Sequence, residues 1–123
     1  EIAKLEIDVI ALEMMVLRVL SGQRSGRQSL DIAGLLKIRG SEIQQRSSEL
    51  MMLVAGPFAL PLIHEAMEAG WQGDSGSHTW GDFPGGHTNL APLASNYFNM
   101  RKTSIYGGSN EVQRNIVAQA LLS

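Results

Sequence analysis

Through its first 55 positions the chain spaces apolar residues three and four apart, a pattern that only an α-helix turns into a continuous face. Ile2, Leu5, Val9, Leu12, Val16 and Val19 fall at intervals of 3, 4, 3, 4 and 3. Ala3, Ile10 and Leu17 add a second line one heptad apart, so the apolar face is wide and calls for two or more neighbours. The polar, glycine-punctuated run Ser21-Gly22-Gln23-Arg24-Ser25-Gly26 reads as the stop. A second periodic segment starts at about Ser29, a suitable N-cap, and runs to about Ala55, with Ile32, Leu36, Ile43, Leu50, Leu53 and Val54 as its stripe. At about 1.5 Å per residue this helix is about 40 Å long. Pro57 marks a break, and Phe58 to Ala69 can form a shorter helix. Pro92 opens a further helix through Lys102. Ile105 to Ser109 is a tight turn, and Ser109 caps a last helix with Val112, Ile116, Val117, Ala120 and Leu121 as its apolar positions. No repeat, low-complexity tract or convincing strand interrupts this order. The fold class is all-α.

Residues 70–89 do not share the periodicity. Six glycines, Pro84, Trp71, Trp80 and Phe83 fall within those twenty positions. Loops of this length tend to be functional or ordered by a neighbour, and both tryptophans are in this one, so it is expected to pack against something.

A length of 123 residues fits one domain, 1–123. The net charge of −2 gives no general electrostatic case for nucleic acid or an anionic membrane. The absence of cysteine excludes a disulfide framework and thiolate chemistry, and is compatible with a cytoplasmic setting. No apolar run approaches the roughly 20 residues of a membrane span, and a signal peptide is not expected, because the first residues enter directly into helical periodicity. The first residues enter that stripe with neither Met nor a helix cap, which leads us to expect a piece of a longer protein.

Most catalytic signatures are missing: no phosphate-loop sequence, no GxGxxG, no HExxH and no GxSxG. His64, His78 and His87 are not at helical i, i+4 spacing. His78 and His87 with Asp74 and Asp82 are conceivable metal ligands, but the composition of a polar loop accounts for them more simply. Arg39 and Arg46, one heptad apart, read as solvated helix-edge residues rather than buried partners of carboxylates. Arg18, Arg24, Arg27, Lys37 and Arg39 form a basic-leaning stretch that either faces a phosphate-bearing ligand or is a solvated surface, and the second is favoured.

One segment carries chemical information: Tyr106-Gly107-Gly108-Ser109-Asn110-Glu111-Val112-Gln113-Arg114. Two glycines allow a backbone to approach a ligand closely. A capped helix N-terminus follows at once, offering free N–H groups and the positive end of the dipole. The plainer reading is a helix–turn–helix corner in which glycine supplies the left-handed conformation, and the residues alone favour it.

The run from Ile105 to Ala118 resembles the C-terminal signature of the acyl-CoA dehydrogenase family: Tyr, Glu or Gly, Gly, Thr or Ser, two variable residues, an aliphatic residue, Gln and Arg. Arg101-Lys102-Thr103, the stretch from Lys37 to Gln44, and Gly56-Pro57 are similar to the bacterial branch. The resemblance spans the full chain in helix order, and the last 25 residues are its most specific part. It implies a four-helix up-and-down bundle that packs against an N-terminal helical domain and a middle β-domain. FAD would bind between domains and across a subunit interface, in a homo- or hetero-oligomer, dimer or tetramer. The implied reaction is α,β-dehydrogenation of an acyl-CoA thioester, with electrons passing to an electron-transfer flavoprotein. By the same resemblance Gly107, Gly108, Ser109 and Glu111 would contact FAD, Ser109 through its hydroxyl, and Tyr106 would border the substrate.

Two departures bear on function. Many members place a catalytic Glu directly after the Tyr, where this chain has Gly107, so no residue here is assigned as the base. It would come from an earlier helix outside this chain, or from the other subunit of a mixed oligomer; Glu111 is a poorer substitute, one helical turn away. Many members also carry Gln-x-x-Gly-Gly-x-Gly for the neighbouring subunit's FAD, where this chain reads Val54 to Pro61 without it. The expected function is therefore the C-terminal domain of a flavin-dependent dehydrogenase. By itself it should neither bind FAD tightly nor turn over substrate. The alternative is a non-catalytic helical interaction subunit lacking the base.

Overall fold

The computed structural model describes residues 1–24, 30–60, 68–69, 90 and 92–122. Nearly all of the expected loop at 70–90, with both tryptophans, Phe83, His78, His87, Asp74 and Asp82, lies outside them. So do Arg27, Ser29, His64 and most of the expected helix from Phe58 to Ala69. Among the described residues there are four α-helices and no strand: α1 (Ile2–Arg24), α2 (Leu30–Ala55), α3 (Pro92–Met100) and α4 (Asn110–Leu122). Two short 3-10 segments, Gly56–Ala59 and Arg101–Ser104, complete the set.

The chain divides into two compact units, Glu1–Ser47 with Lys102–Ser123, and Ser48–Arg101. In the first, the amino-terminal part of α2 lies between α1 and α4, and both run antiparallel to it. On one side Arg46 reaches Glu1 at 2.6 Å and Arg39 reaches Asp8 at 2.7 Å. On the other, Lys37 reaches Asn110 and Gly34 lies against Val117. In the second unit, Leu50, Ala59 and Ala94 are buried. There the Arg101 guanidinium stacks 4.4 Å over the Tyr97 ring and donates to Ser48 Oγ at 3.1 Å.

The helices form where the periodicity places them, with small shifts at their ends. α1 continues through Gly22 to Arg24, past the expected stop at Ser21. α2 ends at Ala55, with Gly56 in the left-handed region (φ +59°) and Pro57 in the following 3-10 turn, as the break there requires. Phe58 and Ala59 belong to that 3-10 turn rather than to an α-helix. α3 stops at Met100 and tightens into a 3-10 turn through Ser104 instead of continuing to Lys102.

The inward faces are narrower than the apolar stripes. Along α1, Leu5, Leu12, Met15 and Val19 are half-buried, whereas Ile2, Val9 and Val16 are exposed. Along α2, Ile32, Leu36, Ile43 and Leu50 turn inward, but Leu53 and Val54 do not. In α4 Val117 is buried, while Val112 and Ile116 are exposed. Arg39 and Arg46 are exposed, as expected, yet each is ion-paired, Arg39 with Asp8 and Glu42 and Arg46 with Glu1. Solvated pairs of this kind add little stability.

Two glycines inside α2 differ in what surrounds them, and the difference sets opposite expectations. Alanine favours a helix interior over glycine by about 1 kcal/mol. Among the described residues an added Cβ at Gly40 meets only Leu12 Cδ2, at 4.0 Å, so Gly40→Ala should stabilise the chain by up to about 1 kcal/mol. At Gly34 it lies 2.9 Å from Val117 Cγ2 and 3.0 Å from Gln113 Oε1. Overpacking costs about 1–3 kcal/mol, so Gly34→Ala should come out destabilising despite the same propensity gain. Urea denaturation of the two variants checks the signs.

Candidate functional site

The turn from Ile105 to Ser109 is tied to the segment before it by backbone bonds: Ile105 N–H and Tyr106 N–H both donate to Lys102 O, at 2.9 and 3.2 Å. The chain then reverses through Gly107 (φ +65°) and Gly108 (φ +91°), two successive residues in a region that side chains disfavour. This accounts for glycine at both positions. Among the described residues, a Cβ on Gly107 would meet nothing within 4 Å. Tyr106, Gly107 and Gly108 are exposed, and the Lys102 ammonium lies 5.2 Å from the centre of the Tyr106 ring.

Ser109 caps α4 as its sequence context implies: its Oγ accepts from Val112 N–H at 3.4 Å, and its carbonyl accepts from Gln113 N–H at 3.0 Å. Glu111's own backbone N–H, then the Ser109 hydroxyl, hold the Glu111 carboxyl below its ordinary value of 4.5, with smaller help from Arg114 and Lys37. A lowered pKa makes Glu111 a weaker base and a lasting anion at the start of α4.

Beneath the turn is a polar group that the residue pattern did not single out. Lys37 Nζ donates to Asn110 Oδ1 at 2.7 Å and to Ser104 O at 3.0 Å. Asn110 Nδ2 donates to Ser41 Oγ at 3.1 Å, and Ser41 Oγ donates to Ile38 O at 2.8 Å. Asn110 and Ser41 are each 6% exposed. Lys37 is thus a half-buried structural cation, not part of the solvated basic surface expected of it. Its charge reaches both sides of the turn, since Ser104 precedes the glycines and Asn110 follows them. One helical turn further along α2, Gln45 Nε2 donates to Thr103 Oγ1 at 3.4 Å.

The last two signature residues also act structurally. Gln113 Nε2 donates to Gly107 O at 3.0 Å, and Arg114 Nη2 donates to Glu42 Oε1 at 3.0 Å. The structure therefore brings together Tyr106, Gly107, Gly108, Ser109 and Glu111 on one exposed corner of the first unit, with Lys37, Ser41, Asn110 and Gln113 holding it from below. Their signal in the sequence is the i, i+3/i+4 series Gly34, Lys37, Ser41 and Gln45, a small and polar line along a helix that is otherwise half apolar.

Lowered carboxyl values carry a sign for stability. Glu1 is held below 4.5 chiefly by its bond to Arg46 and then by the charge of Lys4, and Glu111 as described. Both groups are depressed in the folded state, so their contribution is complete above the unfolded value and is lost as pH falls through the lowered one. The folded fraction should decline as pH drops below about 4.5, and Glu111→Gln should make that decline shallower. Urea midpoints across the acid range measure it; identical profiles for the variant and the parent chain contradict the assignment.

Among the described residues no cluster of His, Asp and Glu is placed to hold a metal, and no helix is long and apolar enough to cross a membrane. No curated protein and no solved structure matches the chain. A family described as acyl-CoA dehydrogenase, C-terminal domain, matches it over residues 1–122, which takes in every helix and the whole glycine corner. The chain therefore belongs to the acyl-CoA dehydrogenase C-terminal domain family.

Proposed function

We propose that this domain forms one wall of the FAD site of a flavin-dependent acyl-CoA dehydrogenase, and that the corner from Tyr106 to Glu111 is the contacting part. The observation that carries this reading is the backbone at Gly107 and Gly108: two left-handed glycines, with no described residue within 4 Å of a Cβ on Gly107, directly before a capped helix N-terminus. Such a corner admits a planar ligand to within backbone contact and offers it N–H groups. When bound, the flavin supplies the hydride acceptor for α,β-dehydrogenation of an acyl-CoA thioester. The residues of this chain bind and orient. Ser109 presents its hydroxyl to the ligand at the start of α4. Tyr106, exposed beside the glycines, borders the acyl-CoA.

No carboxyl stands at 107, and the lowered value at Glu111 argues against that side chain as the proton acceptor. On this reading the base is supplied by another part of the enzyme or by a partner subunit. Gly107 also favours a second reading, a non-catalytic subunit that pairs with a competent one. The exposed apolar residues of α1, among them Ile7, Ile10, Met14 and Leu17, support a role in association, either with companion domains or within a homo- or hetero-oligomer. Transfer of electrons to an electron-transfer flavoprotein belongs to the same proposal.

Ser109→Ala, made in the full-length flavoprotein, tests the reading. Losing one positioned hydroxyl should weaken FAD binding about fivefold to tenfold with the helical signal retained. An unchanged FAD affinity contradicts it. The 123-residue chain alone should not bind FAD at submicromolar concentration, because it supplies only one wall.

A further inference from the structure

The amide of Gln113 occupies a space that two glycines leave for it. Its Nε2 donates to Gly107 O at 3.0 Å. A Cβ on Gly108 would lie 2.8 Å from that Nε2, and a Cβ on Gly34 would lie 3.0 Å from Oε1. Neither glycine can gain a side chain without moving the amide. The side chain also has a fixed origin, since the Gln113 N–H closes the first turn of α4 on Ser109 O at 3.0 Å.

The consequence falls on the next peptide. Gly107 and Gly108 are joined by a trans peptide, whose N–H points opposite to its carbonyl. With the Gly107 carbonyl turned onto Gln113, the Gly108 N–H is turned away from it. Among the described residues that N–H has no acceptor, and both glycines are exposed. An exposed pair of glycines would otherwise sample many conformations, and ordering them on ligand binding would cost affinity.

We propose that Gln113 is a positioning residue: by holding the Gly107 carbonyl it fixes the Gly107–Gly108 peptide plane and presents the Gly108 N–H as a donor to an electron-rich atom of the bound flavin. Gly34 serves the same end from α2, because only glycine leaves the amide its place. This rests on the flavin reading above and deepens it. Gln113 touches no reacting atom and acts through the peptide it holds.

Gln113→Met removes the donor at nearly constant length and volume, while Gln113→Lys keeps a donor. Nuclear magnetic resonance on the chain reads the turn directly. In the parent chain the Gly107 and Gly108 amides should show order parameters near 0.85; in Gln113→Met they should fall below about 0.6 with helical circular dichroism unchanged, and Gln113→Lys should restore part of the order. In the full-length protein Gln113→Met should weaken FAD binding about tenfold. If Gln113→Met disturbs the helices, the comparison is made with Gln113→Glu, which keeps the shape and sets a carboxylate against the Gly107 carbonyl; it should loosen the turn likewise. Unchanged order at both glycines overturns the proposal. A looser turn with unchanged FAD affinity also overturns it, and leaves the flavin reading intact if Ser109→Ala still weakens binding. If neither variant changes FAD affinity, the flavin reading fails and the proposal with it.

Discussion

Asn110→Ala should destabilise the chain by about 2–4 kcal/mol, the largest effect expected of any single substitution near the glycine corner. Asn110 is 6% exposed and lies at the junction of three elements. Its Oδ1 receives the Lys37 ammonium at 2.7 Å, and its Nδ2 donates to Ser41 Oγ at 3.1 Å. Truncation leaves a half-buried ammonium with one acceptor fewer and removes the donor to a buried hydroxyl. The ammonium dominates, because bonds to charged groups are worth about twice those between neutral ones. For a domain of this size the loss corresponds to a fall in melting temperature of about 10 °C. Asn110→Asp keeps an acceptor for Lys37 and should cost less than half as much. Lys37→Met should cost less when added to Asn110→Ala than when made alone, since both remove one interaction. Thermal denaturation of the four variants decides; an Asn110→Ala chain that melts with the parent would show that the cluster does not hold the corner.

Gly108→Ala should be the more damaging of the two glycine-turn substitutions, by about 2–3 kcal/mol against about 1 kcal/mol for Gly107→Ala. Both positions have positive φ, +91° and +65°. At Gly107 the added Cβ meets nothing within 4 Å among the described residues, so the expected cost is conformational strain. At Gly108 the Cβ would lie 2.8 Å from Gln113 Nε2. That amide is the far end of a flexible side chain and can move aside, but only by releasing the Gly107 carbonyl. Strain and a lost hydrogen bond then add. Urea denaturation separates the two costs, and equal losses at both positions would contradict the difference drawn between them.

Helix positions were legible in the sequence because α1, α2 and α4 each hold a periodic stripe over several turns, bounded by Ser, Gly or Pro. Which part of each stripe turns inward was not legible. α1 has apolar residues nearly all round, so Val9 and Val16 look as fit for burial as Leu12 and Met15; only the partner helix decides, and it takes the line through Leu5, Leu12 and Val19. The shift of α3 into a 3-10 turn at Arg101 had no local breaker to announce it. The glycine corner itself was legible, since two glycines directly before a Ser cap mark a turn that enters a helix. What holds it was not. Lys37 and Asn110 are 73 positions apart, and nothing in a lysine among arginines distinguishes one that will be drawn under a turn. The alternation of Gly34, Lys37, Ser41 and Gln45 was visible, but small and polar residues at helical spacing more often face water than a neighbouring element.

Hydrogen exchange of the full-length protein with and without FAD tests the central claim most directly. Binding should slow exchange in the segment from Tyr106 to Glu111 and leave the exposed face of α1 unchanged by comparison. Full occupancy by FAD with no change in that segment would contradict the assignment of the corner to the flavin site.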